Sequence, residues 1–197
     1  MINEMLKERD LPDALIFSNG EKAETAGDWL LRREEIKNIL QNEEYGTIPP
    51  APKSLKAEIL REDKTFCGGK AVFTEILLTG TWENGEFSFP VYSAVPNPRP
   101  IMPVPSFVYI SFRDLTDDEK RFPAKDICGR GFAVFSFNYQ AVSSDDGDFA
   151  DGFAVLLYKN AERTGNSPGK IAMWARAAMT VTDYIKTLDF IDTVCYY

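Results

Sequence analysis

The chain has 197 residues, 44% of them hydrophobic and 26% charged, a composition typical of a globular protein with one sizeable core. Its net charge of -8 and its lack of any basic run disfavour binding to nucleic acid, whose phosphates require clustered Lys and Arg. It contains no histidine, so the usual general base of a serine or cysteine hydrolase is missing from these residues.

The amino-terminal residues 1–10 lack the apolar core of a secretory signal, and no apolar run approaches the roughly 18 residues of a membrane span. The cysteines at Cys67, Cys128 and Cys195 are odd in number, widely spaced and without a CxxC pair. This spacing predicts neither a disulfide framework nor a zinc site. We therefore expect free thiols in a cytoplasmic protein that has no membrane partner, metal or cofactor.

The first predicted element is a helix. After a loop over residues 11–20, Thr25 is a candidate N-cap, and Asp28 at the third helical position completes a capping box. Gly46 and the prolines that follow it end the helix. The spacing predicts an apolar face, opposite a charged one, formed by Trp29, Leu30, Arg33, Ile36, Ile39 and Leu40.

Three strand-like runs follow, at residues 56–61, 70–78 and 86–93, separated by turn signals at 68–69 and 83–85. Because the turns are short, the three strands should be antiparallel. Two nearly continuous apolar runs, 104–111 and 131–137, then predict parallel strands buried on both faces. The polar segment 114–128 between them predicts a right-handed crossover with one or two helical turns.

The last predicted helix begins with Ser167 as N-cap and Pro168 at the first helical position. Small residues in it would allow close packing on a sheet. Its predicted apolar face comprises Ile171, Trp174, Ala175, Ala178, Val181, Ile185 and Leu188.

Two motifs invite a catalytic or metal-binding interpretation. The stretch Gly165-Asn-Ser-Pro-Gly169 matches the esterase pattern G-x-S-x-G, but Pro168 has no N–H to donate to an oxyanion and no strand precedes it. The acidic stretch 145–151 breaks the alternation of a calcium loop at Phe149 and Ala150, which favours a solvated loop.

Five segments together resemble a known family. The stretch Arg130-Gly-Phe-Ala-Val-Phe-Ser-Phe-Asn-Tyr139 is similar to the RGYAV strand of that family. The helix from Lys170 to Leu188 is similar to the helix that precedes the family's nucleophile strand. Three N-terminal motifs also match, Leu11-Pro-Asp13, Trp29-Leu-Leu-Arg-Arg-Glu-Glu-Ile36 and Glu44-Tyr-Gly-Thr-Ile-Pro49. The family is that of glucuronoyl-esterase-like and acetyl-xylan-esterase-like α/β-hydrolases, carbohydrate esterase family fifteen.

The resemblance implies a partial α/β-hydrolase-like sheet, flanked by helices, in which antiparallel N-terminal strands lead into parallel strands. It implies one truncated domain over 1–197: a helical and loop segment 1–54, antiparallel strands 55–96, and the start of a parallel βαβ part 97–197. The nucleophile strand and the C-terminal half are expected to be missing. No residue here then inherits the catalytic serine, the arginine after it, the acid or the histidine.

The resemblance also suggests where a pocket rim lies. In α/β-hydrolases the loop after the first parallel strand supplies part of the oxyanion hole, which makes Ser111, Phe112 and Arg113 candidates. The alternative is a surface loop in which Arg113 pairs with Asp114 or Asp117. A missing nucleophile strand would leave an edge at 104–111, where we expect a second copy or a complementing C-terminal chain to pair.

The leading interpretation is a truncated member of this family, whose reaction is carboxylic ester hydrolysis on plant cell-wall polysaccharide, inactive alone. The first alternative is a non-catalytic module that binds carbohydrate or protein through surface aromatics such as Trp82, Tyr139 and Tyr158. The second is a weak hydrolase that uses only carboxylates or Ser167.

Overall fold

A mixed five-stranded sheet flanked by helices forms the body of the molecule in the computed structural model. The structure describes residue 9 and residues 11–113, 123–159 and 162–193. The strands are β1 (Ser54–Asp63), β2 (Ala71–Trp82), β3 (Gly85–Pro96), β4 (Ser106–Ser111) and β5 (Ala133–Asn138), in the order β1-β2-β3-β5-β4. The helices are α1 (Ala26–Leu40), α2 (Ala124–Gly129), α3 (Gly152–Leu157) and α4 (Lys170–Ile185). No helix in these ranges is long and apolar enough to cross a membrane.

Helix α1 begins where the sequence predicts. The Thr25 hydroxyl accepts from the Asp28 amide at 3.1 Å and the Asp28 carboxylate accepts from the Thr25 amide at 2.9 Å, the two bonds of a capping box. A π-helical turn, Gln41–Tyr45, carries the chain on to Gly46. The predicted apolar face is wrong, because Leu30 is 61% exposed whereas Arg32 is buried. Arg32 is held there by the carbonyl of Ala14 at 3.3 Å.

The three N-terminal strands form an antiparallel meander, as predicted. Alternate residues of β2 and β3 point to opposite faces of the sheet. One face contributes Ile76, Leu78, Phe89 and Val91 to the larger core cluster, while the other contributes Phe73 and Ala94 to a smaller one. Cys67 and Cys128 are both buried in the smaller cluster.

The parallel pair is confirmed: β4 and β5 pair in register from Ser106 opposite Ala133 to Ser111 opposite Asn138. The predicted burial on both faces is right for β5 but wrong for β4, in which Phe107 is 52% exposed. The crossover contains α2, while its residues 114–122 lie outside the described residues. β4 starts later than predicted, because Val104 bridges Ile191 instead. The Val104 amide donates to the carbonyl of Phe190 at 3.0 Å, and the Asp192 amide donates to the carbonyl of Val104 at 2.8 Å.

Helix α4 packs its small and apolar residues against the sheet, but along a different stripe from the predicted one. Ile171 is 53% exposed, because the stripe that faces the core is rotated by about one residue. The N-cap is Gly169 and not Ser167, whose hydroxyl instead accepts from the Thr164 amide at 2.7 Å. The buried stripe comprises Ala172, Met173, Ala177, Thr180, Val181 and Ile185.

Candidate functional site

The parallel strands β4 and β5 end side by side, where Ser111 lies opposite Asn138. Loops that follow such strand ends commonly form the ligand crevice of an α/β sheet. Ser111 is buried, and its hydroxyl donates to the carbonyl of Arg113 at 2.8 Å and accepts from the Arg113 amide at 3.3 Å. The Ser111 hydroxyl therefore stabilises the bend after β4, and Arg113 itself is exposed. Both predicted partners of Arg113, Asp114 and Asp117, lie outside the described residues.

Three aromatic rings form a row beside these strand ends. Phe112 is 76% exposed and meets Tyr139 edge to face, with ring centroids 5.3 Å apart. Tyr139 follows β5 and meets Trp174 of α4 in the same way at 4.8 Å. Because Tyr139 is buried and Trp174 is partly buried, Phe112 is the most exposed ring of the three. We call Phe112, Tyr139 and Trp174 the aromatic row.

The acidic loop 143–151 is fastened to the start of α4 beneath this row. Lys170 is 9% exposed in its side chain, and its ammonium donates to the Ser144 hydroxyl at 3.1 Å and to the Asp151 carboxylate at 3.3 Å. Burial raises the pKa of Asp151, but the hydrogen bonds from Ser144 and Lys170 outweigh it and hold this pKa below its ordinary value. Residues 145–148 and 150 are exposed, as predicted for a solvated loop, and the carboxylate of Asp151 at the end of the loop pairs with Lys170.

The serine of the esterase-like pattern lies away from any strand end. Ser167 sits in a turn between Thr164 and α4, and no strand precedes it within residues 162–169. The Thr47 amide donates to the carbonyl of Asn166 at 3.0 Å, which packs this turn against the segment after α1. This placement agrees with the rejection of Ser167 as a nucleophile.

The described side chains at the strand ends determine what chemistry this part of the molecule offers. Proton transfer from a serine requires an adjacent base, and the 197 residues hold no histidine. Within the described ranges, no three His, Cys, Asp or Glu side chains are placed to hold a metal ion. The strand ends therefore offer one exposed ring, one exposed guanidinium and, nearby, the carboxylate of Asp151 paired with Lys170.

The sequence correctly placed three of these residues after a parallel strand, and their role as a pocket rim stays a prediction. It predicted Ser111, Phe112 and Arg113, but it treated Trp82 and Tyr139 as surface aromatics, which is wrong because both are buried. Tyr158 is half-buried, and its hydroxyl donates to the carbonyl of Pro168 at 2.6 Å. The position of Tyr139 near Phe112 is predictable from the sequence, because Tyr139 follows a predicted parallel strand. The carboxyl ends of such strands share one edge of the sheet.

Sequence comparison relates the chain to curated proteins named 4-O-methyl-glucuronoyl methylesterase. The one from Podospora anserina is 26% identical over 181 residues, which cover 89% of this chain and 32% of that protein. The one from Cerrena unicolor is 42% identical over 55 residues, which cover 28% of this chain and 12% of that protein. No protein-family profile matches the chain.

Solved structures show the same relation at the level of the fold. A glucuronoyl esterase from Solibacter usitatus superposes with a TM-score of 0.76 at 22% identity, over 92% of this chain and 55% of that one. A glucuronoyl esterase of carbohydrate esterase family fifteen from Teredinibacter turnerae superposes with a TM-score of 0.77 at 21% identity. The match covers 94% of this chain and 49% of that one. The chain thus spans about half of these structures and about a third of the Podospora protein. The predicted resemblance and the α/β-hydrolase-type sheet are confirmed.

Proposed function

We propose that this chain, a relative of the glucuronoyl esterases, provides the first half of an ester hydrolase fold and does not hydrolyse esters by itself. The relatives are named for hydrolysis of a glucuronoyl methyl ester, so the same ester class is the natural substrate to assign to the assembled fold. The 197 residues supply its antiparallel strands, its first two parallel strands and the aromatic row.

The observation that carries this proposal is the absence of histidine from the whole sequence. Neither candidate serine compensates for it. The hydroxyl of Ser111 is bonded within its own bend, and that of Ser167 is bonded to the Thr164 amide. A serine nucleophile without a base remains protonated at neutral pH and attacks esters poorly.

The test is a hydrolysis assay on the methyl ester of 4-O-methyl-glucuronate, with the purified chain, its Ser111→Ala and Ser167→Ala variants, and the Solibacter enzyme as positive control. We expect all three forms of this chain to match the buffer rate. Turnover by the unchanged chain that either alanine variant abolishes would overturn the proposal and identify the nucleophile.

We further propose that the outer edge of β4 pairs with the β4 edge of a second copy. In the described ranges, only Val104 is paired on this side, through Ile191. The backbone groups of the alternate residues Ser106, Val108 and Ile110 point the same way as those of Val104, away from β5. β4 contains no charged residue, whereas the opposite edge strand, β1, carries Lys56, Glu58 and Glu62. Charges protect a strand edge from pairing, so β4 is the edge suited to association.

Exposed apolar side chains on β4 support the same surface. Phe107 is 52% exposed and Tyr109 39%, and both lie on the face of the sheet opposite to α4. Two antiparallel β4 strands related by a twofold axis would bring these rings together, because such an interface is self-complementary. The proposal therefore predicts a dimer that continues the sheet from one copy to the next.

Light scattering of the purified chain, with intact mass spectrometry, tests this pairing. We expect a dimer that becomes monomeric in Phe107→Lys, while Leu60→Lys on the charged strand β1 remains dimeric. A monomer at all concentrations would overturn the second copy as the occupant, and so would a dimer that Phe107→Lys leaves intact.

A further inference from the structure

A cavity of about 280 Å³ lies between the sheet and the carboxyl end of α4, and it shares no residue with the aromatic row. Its floor is the sheet face that carries Ile76 and Phe135, and its wall includes Leu188 and Phe190 after the helix. Most of its surface is apolar. A cavity of this size lies at the lower limit of small-molecule sites and is suited to a ligand with a single ring.

Two hydroxyl groups interrupt the apolar floor. Thr74 of β2 and Ser93 of β3 lie directly opposite each other in the antiparallel register, and both line the cavity. Ser93 is only 3% exposed. Neither hydroxyl has a hydrogen-bond partner among the described residues, although Thr79 and Ser88, another opposed pair of these strands, bond each other at 2.8 Å. Within the described residues no fully buried side-chain oxygen lacks a partner, so these two hydroxyls are open to the cavity and can bond a polar group of a ligand.

The entrance to the cavity carries a cation. The guanidinium of Arg99 lies over the ring of Phe190, 3.9 Å from its centroid, and is exposed to solvent on its other side. Glu62 also lines the cavity, and its carboxylate forms an exposed ion pair with Lys64 at 3.1 Å, which turns it away from a role as the sole charge there. A guanidinium can still bond a carboxylate in its plane while its face rests on an aromatic ring.

We propose that this cavity binds a small hydroxylated aromatic carboxylate. The aromatic ring of the ligand packs against Phe135 and the aliphatic side chains. Its hydroxyl reaches Ser93 and Thr74, and its carboxylate meets Arg99 at the entrance. The site is separate from the ester-hydrolase rim, so it does not depend on the function proposed above.

A pair of probes with the same ring and opposite charge tests the assignment. 4-Hydroxyphenylacetate carries a carboxylate, and tyramine carries an ammonium group at the corresponding position. Titration by isothermal calorimetry and by NMR should show saturable binding of 4-hydroxyphenylacetate and at least tenfold weaker binding of tyramine.

Variants assign the contacts. Arg99→Gln and Ser93→Ala should each weaken 4-hydroxyphenylacetate at least fivefold, while Arg130→Gln, an exposed arginine after α2, should leave it unchanged. Circular dichroism checks that Ser93→Ala folds. Absence of saturable binding would overturn the proposal and indicate a cavity filled by water. Tighter binding of tyramine that Glu62→Gln abolishes would overturn the assigned charge.

Discussion

The guanidinium of Arg176 on α4 donates through Nε to the backbone carbonyl of Pro49, at a distance of 2.6 Å. Burial lowers the pKa of Arg176, against the opposing effect of Asp183, yet a guanidinium remains charged at neutral pH. This bond fastens the segment after α1 to the helix that covers the sheet. It therefore connects the N-terminal segment to the body of the fold.

Loss of this bond should destabilise the chain. We expect Arg176→Met to lower the free energy of unfolding in urea by about 1.5–3 kcal/mol, the usual value of a hydrogen bond to a charged group. The matched control is Lys186→Met, because the Lys186 side chain makes an exposed ion pair with Asp183 at 3.6 Å and no other ion pair or side-chain hydrogen bond among the described residues is lost with it. Exposed pairs contribute about 0–1 kcal/mol. Equal losses in the two variants would contradict the role of Arg176.

Gly46 should not tolerate a side chain. It has φ +77°, and a Cβ there would lie 2.1 Å from the carbonyl oxygen of Ser167. We expect Gly46→Ala to lower the midpoint of urea unfolding, with backbone strain alone costing about 1–3 kcal/mol. Gly27→Ala in α1 is the control, since its Cβ meets only the Thr25 hydroxyl at 3.6 Å. It should raise stability by up to about 1 kcal/mol through helix propensity.

Lowering the pH should remove the contribution that Asp151 makes to the stability of the folded chain. Because the pKa of Asp151 is lowered in the folded chain, its stabilising effect is complete above the ordinary pKa of an unfolded Asp, about 3.9. The effect is lost as the pH falls through the lowered folded value. We expect Asp151→Asn to lower the Tm at pH 7, with the difference shrinking towards pH 3. Asp148→Asn, in which the amide can still accept from Ala150, should show little difference at either pH.

The thiol of Cys128 should be unreactive in the folded chain. Burial, together with the neighbouring Cys67, raises the pKa of Cys128 to about 12. At pH 8 only about one thiol in 10⁴ is then ionised, and the thiolate is the reactive form. Peptide mass spectrometry after iodoacetamide treatment should find Cys128 unmodified in buffer and modified in urea. Rapid labelling in buffer would show that the smaller core cluster opens readily.

The meander and the parallel pair could be predicted from the sequence because their signals are local. Short turns impose antiparallel pairing on β1, β2 and β3, and the side chains of Thr25 and Asp28 suffice to start α1. Burial within α1 and α4 could not be predicted in this way. Arg32 is buried because the Ala14 carbonyl accepts from it, and Ile171 is exposed because the sheet meets a neighbouring stripe of α4.

The candidate site was harder to predict for a related reason. Ser111, Phe112 and Arg113 follow a recognisable strand, but the aromatic row joins rings from three separate segments. The sequence does not predict α3, because a helix of six residues, Gly152–Leu157, is too short for a helical periodicity to be recognised. Lys170 was placed on a helix, yet its contact with Asp151 depends on the path of the intervening loop.

The bridge between Val104 and Ile191 has a consequence for the order in which the chain folds. β1, β2 and β3 contact one another through short turns and can pair early, at a small cost in chain entropy. The backbone at Val104 finds its partner only after β5, the acidic loop and α4 are in place. During synthesis, the meander can therefore leave the ribosome and pair well before Val104 can bond to the segment at Ile191. Until then, the apolar strand β4 has time to meet other chains.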